Sequence, residues 1–127
     1  MNTLDLQDKI ISTIARSIKI KWDYLLVNFE RAVIDGDARE DCLAVCFHRD
    51  PTGWKHTSIQ PPFELYDLLL ELAAAMDRDE RGVWGSCTIE IDSRGKYRYT
   101  FSYEPPKRLN GGLDDETLFN HYVPQPL

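Results

Sequence analysis

The sequence has no Cys-x-x-Cys pair, and its three cysteines, Cys42, Cys46 and Cys87, are an odd number. Both facts argue against a disulfide framework and against a structural zinc site. No apolar run approaches the roughly 20 residues needed to span a bilayer. Met1 is followed by a polar, acidic stretch, so the chain opens without a signal-peptide pattern and the cytoplasm is the expected address. Gly-x-Gly-x-x-Gly, phosphate-loop and Gly-x-Ser-x-Gly patterns are all missing. Basic residues are in deficit: 15 Lys and Arg against 21 Asp and Glu give a net charge of −6. A nucleic-acid binder needs a basic face to displace counterions, and docking on anionic lipid needs the same. An acidic surface suits a basic protein partner instead, because opposite charge steers encounter.

What is present is an ordinary globular composition, 43% hydrophobic and 28% charged, in 127 residues. That length suits one domain spanning residues 1–127 and can bury a core without staples. A helix is predicted over residues 4–19. Leu6, Ile10, Ile14 and Ile18 recur every four residues, and Ile11 and Ala15 widen the stripe. Thr3 is the expected cap. Strands are predicted over residues 22–33 and 41–48, joined by an Asp35-Gly36-Asp37 turn. Leu25, Val27 and Phe29 alternate in the first, and Leu43, Val45 and Phe47 in the second. Placing these two sets on one face pairs Val27 with Val45, Phe29 with Leu43, Leu25 with Phe47, and Arg31 with Asp41.

Asp50-Pro51-Thr52-Gly53 reads as a turn, and residues 54–59 as a short third strand. Pro61 and Pro62 open a second helix over residues 63–77, with Leu65, Leu68, Leu69, Leu72, Ala73 and Met76 on its apolar stripe. Residues 83–103 carry the best local signal. A three-residue Ser93-Arg94-Gly95 loop with Gly95 left-handed sets Ile91 opposite Tyr97, Ile89 opposite Tyr99 and Cys87 opposite Phe101. The other face then matches Asp92 with Lys96, Glu90 with Arg98, Thr88 with Thr100 and Ser86 with Ser102. After Glu104, Pro105-Pro106 and Asn110-Gly111-Gly112 end the strand. In the tail, residues 104–127, a short helix over 114–121 is the expected element, held by Leu118, Phe119 and Tyr122. The fold class expected is α+β: an antiparallel sheet of four or five strands with two main helices on one face, in the order α-β-β-(β)-α-β-β plus a tail.

Chemistry is sparse. His48, Asp50 and His56 lie near one another in sequence but lack a metal-ligand spacing, so no metal and no cofactor are expected. Cys42 and Cys46 are four apart on one strand face, about 13 Å along the strand, and read as packing residues. Asp35, Asp37, Glu40 and Asp41 crowd one turn, a solvated setting without the burial that acid–base carboxylates need. Cys87 falls on an apolar face with no base in view. The chain is therefore read as a non-enzyme. Two acidic groups remain as binding candidates: Asp35 to Asp41, and Glu104 with Asp114, Asp115 and Glu116. The second is interleaved with Leu113, Phe119 and Tyr122, apolar anchors within an acidic rim.

Several features together resemble a known family. They are Trp22 after an isoleucine-rich helix, the two strands, the helix over residues 63–76, Trp84, Ile89-Glu90-Ile91-Asp92, Gly95-Lys96-Tyr97 and Phe101-Ser102-Tyr103-Glu104. Over most of its length the chain resembles the YezG-like antitoxin and immunity proteins. Residues 44–49 and the tail after Glu104 depart from that pattern. The resemblance implies an immunity function: binding a toxin, often a nuclease domain delivered by a rival bacterium, and blocking it without catalysis. It implies a basic toxin domain as partner, no direct contact with nucleic acid or membrane, and a monomer or weak homodimer. The candidate contact residues are Asp35, Asp37, Glu40, Asp41, Trp54, Glu104, Asp114, Asp115, Glu116, Phe119 and Tyr122. A second class stays open at this point, a small acidic secretion chaperone or adaptor that binds an unfolded segment. A small enzyme using His48, Asp50 or Cys87 is the third.

Overall fold

A computed structural model describes residues 2–77, 84–113, 121, 122, 124 and 126. The chain runs α1 (Thr3–Ser17), β1 (Tyr24–Ile34), β2 (Asp37–Asp50), β3 (Gly53–Ile59), α2 (Phe63–Met76), β4 (Ser86–Asp92) and β5 (Tyr97–Ser102). The five strands form one open antiparallel sheet in the order β3-β2-β1-β4-β5, which is the α+β class expected. Among the described residues no helix is long and apolar enough to cross a membrane. The expected helix over 114–121, with Asp114, Asp115, Glu116, Leu118 and Phe119, lies outside the described residues except for His121.

Helix α1 is capped by Asn2, not Thr3: the Asn2 side chain accepts from the Asp5 N–H at 2.8 Å. An asparagine one position earlier meets the same orphan amide, so the helix starts a residue sooner. Leu6, Ile10 and Ile14 bury the expected stripe, whereas Ala15 is exposed. Helix α2 buries Leu65, Leu68, Leu69, Leu72 and Ala73, as its periodicity requires. Both helices cover one face of the sheet, over Leu25, Val27, Phe29, Cys87, Ile89 and Ile91. Phe29 sits at the centre, with no exposed surface, edge-on to Tyr66 at 5.8 Å and to Trp84 at 6.0 Å.

The β4–β5 hairpin has the register its loop demanded: Ile91 opposite Tyr97, Ile89 opposite Tyr99, Cys87 opposite Phe101, with Gly95 at φ 88°. The β1–β2 register differs from expectation by one residue. Val27 pairs with Ala44, Phe29 with Cys42, Leu25 with Cys46, and Arg31 with Glu40. The cause is the turn. Asp35 and Gly36 both have positive φ, 52° and 83°, which makes a two-residue loop instead of the three-residue Asp35-Gly36-Asp37 loop. A one-residue slip sends every β2 side chain to the other face. Cys42, Ala44 and Cys46, small enough to lie under the helices, face the main core. Leu43, Val45 and Phe47 face away from it and join Tyr24, Leu26, Trp54, Leu113 and Tyr122 in a second cluster on the opposite face.

The three cysteines are buried and unbridged. Burial pushes the Cys46 thiol up from 9.0 to about 11, the Cys42 thiol to about 12 and the Cys87 thiol higher still. Each thiol keeps its proton in the folded chain at a pH where the unfolded chain has released it. The associated stability is complete below the unfolded thiol value of 9.0 and is lost as pH rises through about 11 and 12. Urea midpoints should therefore fall steadily above about pH 9, and a Cys42→Ala/Cys46→Ala/Cys87→Ala variant should show a shallower fall. An identical slope in that variant would refute this assignment.

Candidate functional site

Two regions outside the main core concentrate polar side chains. The first is on the sheet face away from the helices. Asn28 and Glu30 project there from the central strand, 2% exposed each. Burying a carboxylate is costly unless it is hydrogen-bonded and paired. Segment 105–113 supplies what Glu30 needs. The backbone N–H groups of Arg108 and Leu109 donate to the Glu30 carboxylate at 3.3 and 2.9 Å. The Arg108 Nε lies 3.9 Å from Glu30 and donates to Asn28 Oδ1 at 2.9 Å. Its remaining nitrogens donate to the Asn28 carbonyl oxygen at 2.8 Å and to the Asp41 carboxylate. Burial alone would disfavour the guanidinium charge, but Asp41 and Glu30 outweigh it and hold Arg108 more firmly protonated than usual. This clamp lashes the chain after β5 across the sheet. Beside it, Glu90 receives Tyr24 and a forked contact from Arg98 at 3.0 Å.

The second region is a notch of about 480 Å³ at the end of the sheet where β1 turns into β2. Arg31, Ala32 and Val33 of β1 and Ala38, Arg39 and Glu40 of β2 form one wall. Trp84 and Gly85, which lead into β4, form the floor, and Tyr103 to Pro106 with Asn110 close the far side. Gly85 is required by space: a Cβ there would lie 2.6 Å from the Glu104 carbonyl oxygen. Its own carbonyl accepts from Arg31 N–H at 2.8 Å, and its N–H donates to the Ser102 carbonyl at 2.8 Å. So Gly85 stitches both walls to the floor. Val33 is 74% exposed and Tyr103 is 38% exposed, so the notch opens between apolar lips. Glu40 and Glu104 stand on opposite sides of it, with Glu40 3.9 Å from Arg31. Arg108 and Leu109, bound to Glu30, lie in the chain between Pro106 and Asn110 of the far side, which ties that side of the notch to β1.

The structure brings together part of the expected contact set. Glu40 and Glu104, 64 residues apart in sequence (104 − 40), share the notch, and Asp35 and Asp37 cap the hairpin that forms its near wall. Asp41 instead turns to the opposite face and serves the clamp. Trp54 lies at the other end of the sheet, 6.4 Å from the rings of both Tyr24 and Phe47 and under Arg49 at 5.3 Å. Tyr122 is 8% exposed in the second cluster. Asp114, Asp115, Glu116 and Phe119 lie outside the described residues. His48 and His56 point to opposite faces of the sheet, since His48 pairs with Lys55 and His56 with Phe47. Among the described residues no cluster could hold a metal ion. Asn28, Glu30 and Arg108 were not singled out by sequence. Two polar residues in the middle of an apolar central strand were the available signal.

Compared with protein-family models and with curated proteins, the chain matches none.

Proposed function

We propose that this protein is an immunity protein, which binds a cognate bacterial toxin domain in the cytoplasm and blocks it by occupying its surface, with no chemistry of its own. The observation that supports this reading most is the convergence at one end of the sheet. A notch with apolar lips there is edged by Arg31, Arg39, Glu40 and Glu104 and flanked by Asp35 and Asp37. An apolar recess inside a charged rim is the anatomy of a protein interface. Arg31 and Arg39 balance Glu40 and Glu104 in the lining itself, so the preference for a basic partner rests on Asp35 and Asp37 at the hairpin tip and on the net charge of −6. A nuclease domain fits, because its site must attract phosphate.

The test is co-expression with basic nuclease toxin domains, beginning with any that a neighbouring gene encodes. Growth should be rescued, and calorimetry on the purified pair should show tight one-to-one binding. A Glu40→Lys/Glu104→Lys variant should associate about tenfold more slowly at low salt, with the difference shrinking as salt is raised. Neither rescue nor binding heat from the unmodified pair would remove this reading.

A further inference from the structure

Strand β5 ends the sheet, and among the described residues its only strand partner is β4. The Asp92 N–H donates to the Lys96 carbonyl at 2.8 Å, which fixes the alternation of the ladder. Arg98, Thr100 and Ser102 therefore direct their backbone groups toward β4. Tyr97, Tyr99 and Phe101 direct theirs outward, and among the described residues their three N–H and three C=O groups meet no backbone partner. Natural edges are usually blunted by lysine, proline, glycine bulges or inward charge. Residues 97–102 contain no lysine, proline or glycine, and their one charge, Arg98, is already bound to Glu90 at 3.0 Å. Both edge strands are followed by a proline pair, Pro61-Pro62 after β3 and Pro105-Pro106 after β5, but only β3 carries a lysine, Lys55, within the strand.

The same edge carries an aromatic strip on its helix-facing side. Tyr97 and Tyr99 lie 6.0 Å apart, and Tyr99 stacks on Phe101 at 5.9 Å. Tyr97, 45% exposed, continues the strip to solvent at the hairpin end of the strand.

We propose that β5 pairs with β5 of a second copy of this chain, antiparallel about a two-fold axis at Tyr99, to give a continuous ten-stranded sheet. The strand is complementary to itself in this register. Tyr99 faces Tyr99, and Tyr97 faces Phe101, so aromatic rings meet aromatic rings. On the other side Arg98 faces the neutral Thr100, and no like charges oppose each other. All three outward residues become hydrogen-bonded pairs, which closes six backbone groups on each copy. β5 runs parallel to β1, because each is antiparallel to β4. An antiparallel dimer therefore sends the two acidic β1–β2 tips to opposite ends of the sheet. The pairing does not depend on the identity of any partner at the notch.

Sedimentation velocity of the full chain over a concentration series should show a reversible monomer–dimer equilibrium. Thr100→Arg places arginine against Arg98 twice per dimer and should weaken association by at least about tenfold. Thr100→Glu places a carboxylate against Arg98 and should tighten it. Thr100 is exposed, so both variants keep the monomer fold, which circular dichroism checks. Hydrogen exchange at high concentration should slow the Tyr97, Tyr99 and Phe101 amides and leave Arg98, Thr100 and Ser102 unchanged. A chain that stays monomeric throughout, or a dimer indifferent to both Thr100 variants, overturns the proposal.

Discussion

Replacing Arg108 with alanine should destabilise the protein by about 3–5 kcal/mol, a large part of the roughly 5–15 kcal/mol a domain of this kind has in total. Arg108 is the hub of the polar face. Its guanidinium meets Asn28, Asp41 and Glu30, and its backbone N–H meets Glu30 as well. Removing the fork leaves Glu30, 2% exposed, with no cation beside it among the described residues. Either the carboxylate stays buried and uncompensated, or segment 105–113 lifts away and lets water in. Both routes cost stability, and the second also dismantles the notch wall made by Pro105, Pro106 and Asn110. Arg108→Lys should fall between, because an ammonium keeps the charge but cannot span Asn28 and Asp41 with a planar fork. Urea denaturation measures the loss. Hydrogen exchange at the Arg108 and Leu109 amides reports whether the segment has lifted. A midpoint equal to that of the unmodified protein would show that the clamp is ornamental.

Phe29→Ala should cost about as much, roughly 3–5 kcal/mol, by a different route. Phe29 is fully buried at the meeting point of α2, β1 and the approach to β4. Cutting it to alanine leaves a hole beneath Tyr66 and Trp84, both of which are anchored elsewhere. Tyr66 accepts from the Cys42 N–H at 3.1 Å, and Trp84 also packs on Phe101 at 5.8 Å. Neither ring is free to collapse into the space, so the cavity should persist. Phe63→Ala is the matched control. That ring is 89% exposed, and its loss should change stability by less than about 0.5 kcal/mol. Equal losses from the two variants would contradict the packing described.

The element order was legible because helices and strands here differ in period. The two helices have clear four-residue stripes, and the β4–β5 hairpin offered two faces whose pairings had to agree at once. Charge against charge, hydroxyl against hydroxyl and ring against isoleucine left one loop length. The β1–β2 hairpin carried no such cross-check. Its strand reads as alternating only if Cys42, Ala44 and Cys46 count as spacers, and in the fold they are the residues beneath the helices. Tyr24 to Phe29 is apolar at both parities except Asn28, which is the mark of a strand covered on both sides. That run, taken with Glu30, signalled a second buried face. What covers it comes from residues 105–113 and Tyr122, about 80 residues away in sequence, and long-range pairing of that kind leaves no local periodicity. For the same reason the acidic residues near 35–41 divided between two faces. Glu40 went to the notch and Asp41 to the clamp, on the parity of one strand.

That the notch end receives a partner protein is tested by hydrogen exchange on the chain alone and together with a basic toxin domain against which it protects in co-expression. Protection should appear in residues 31–40 and 103–106, at the notch walls, with little change in α1. Protection confined to α1 and α2, with the notch walls exchanging as freely as in the isolated chain, would contradict it.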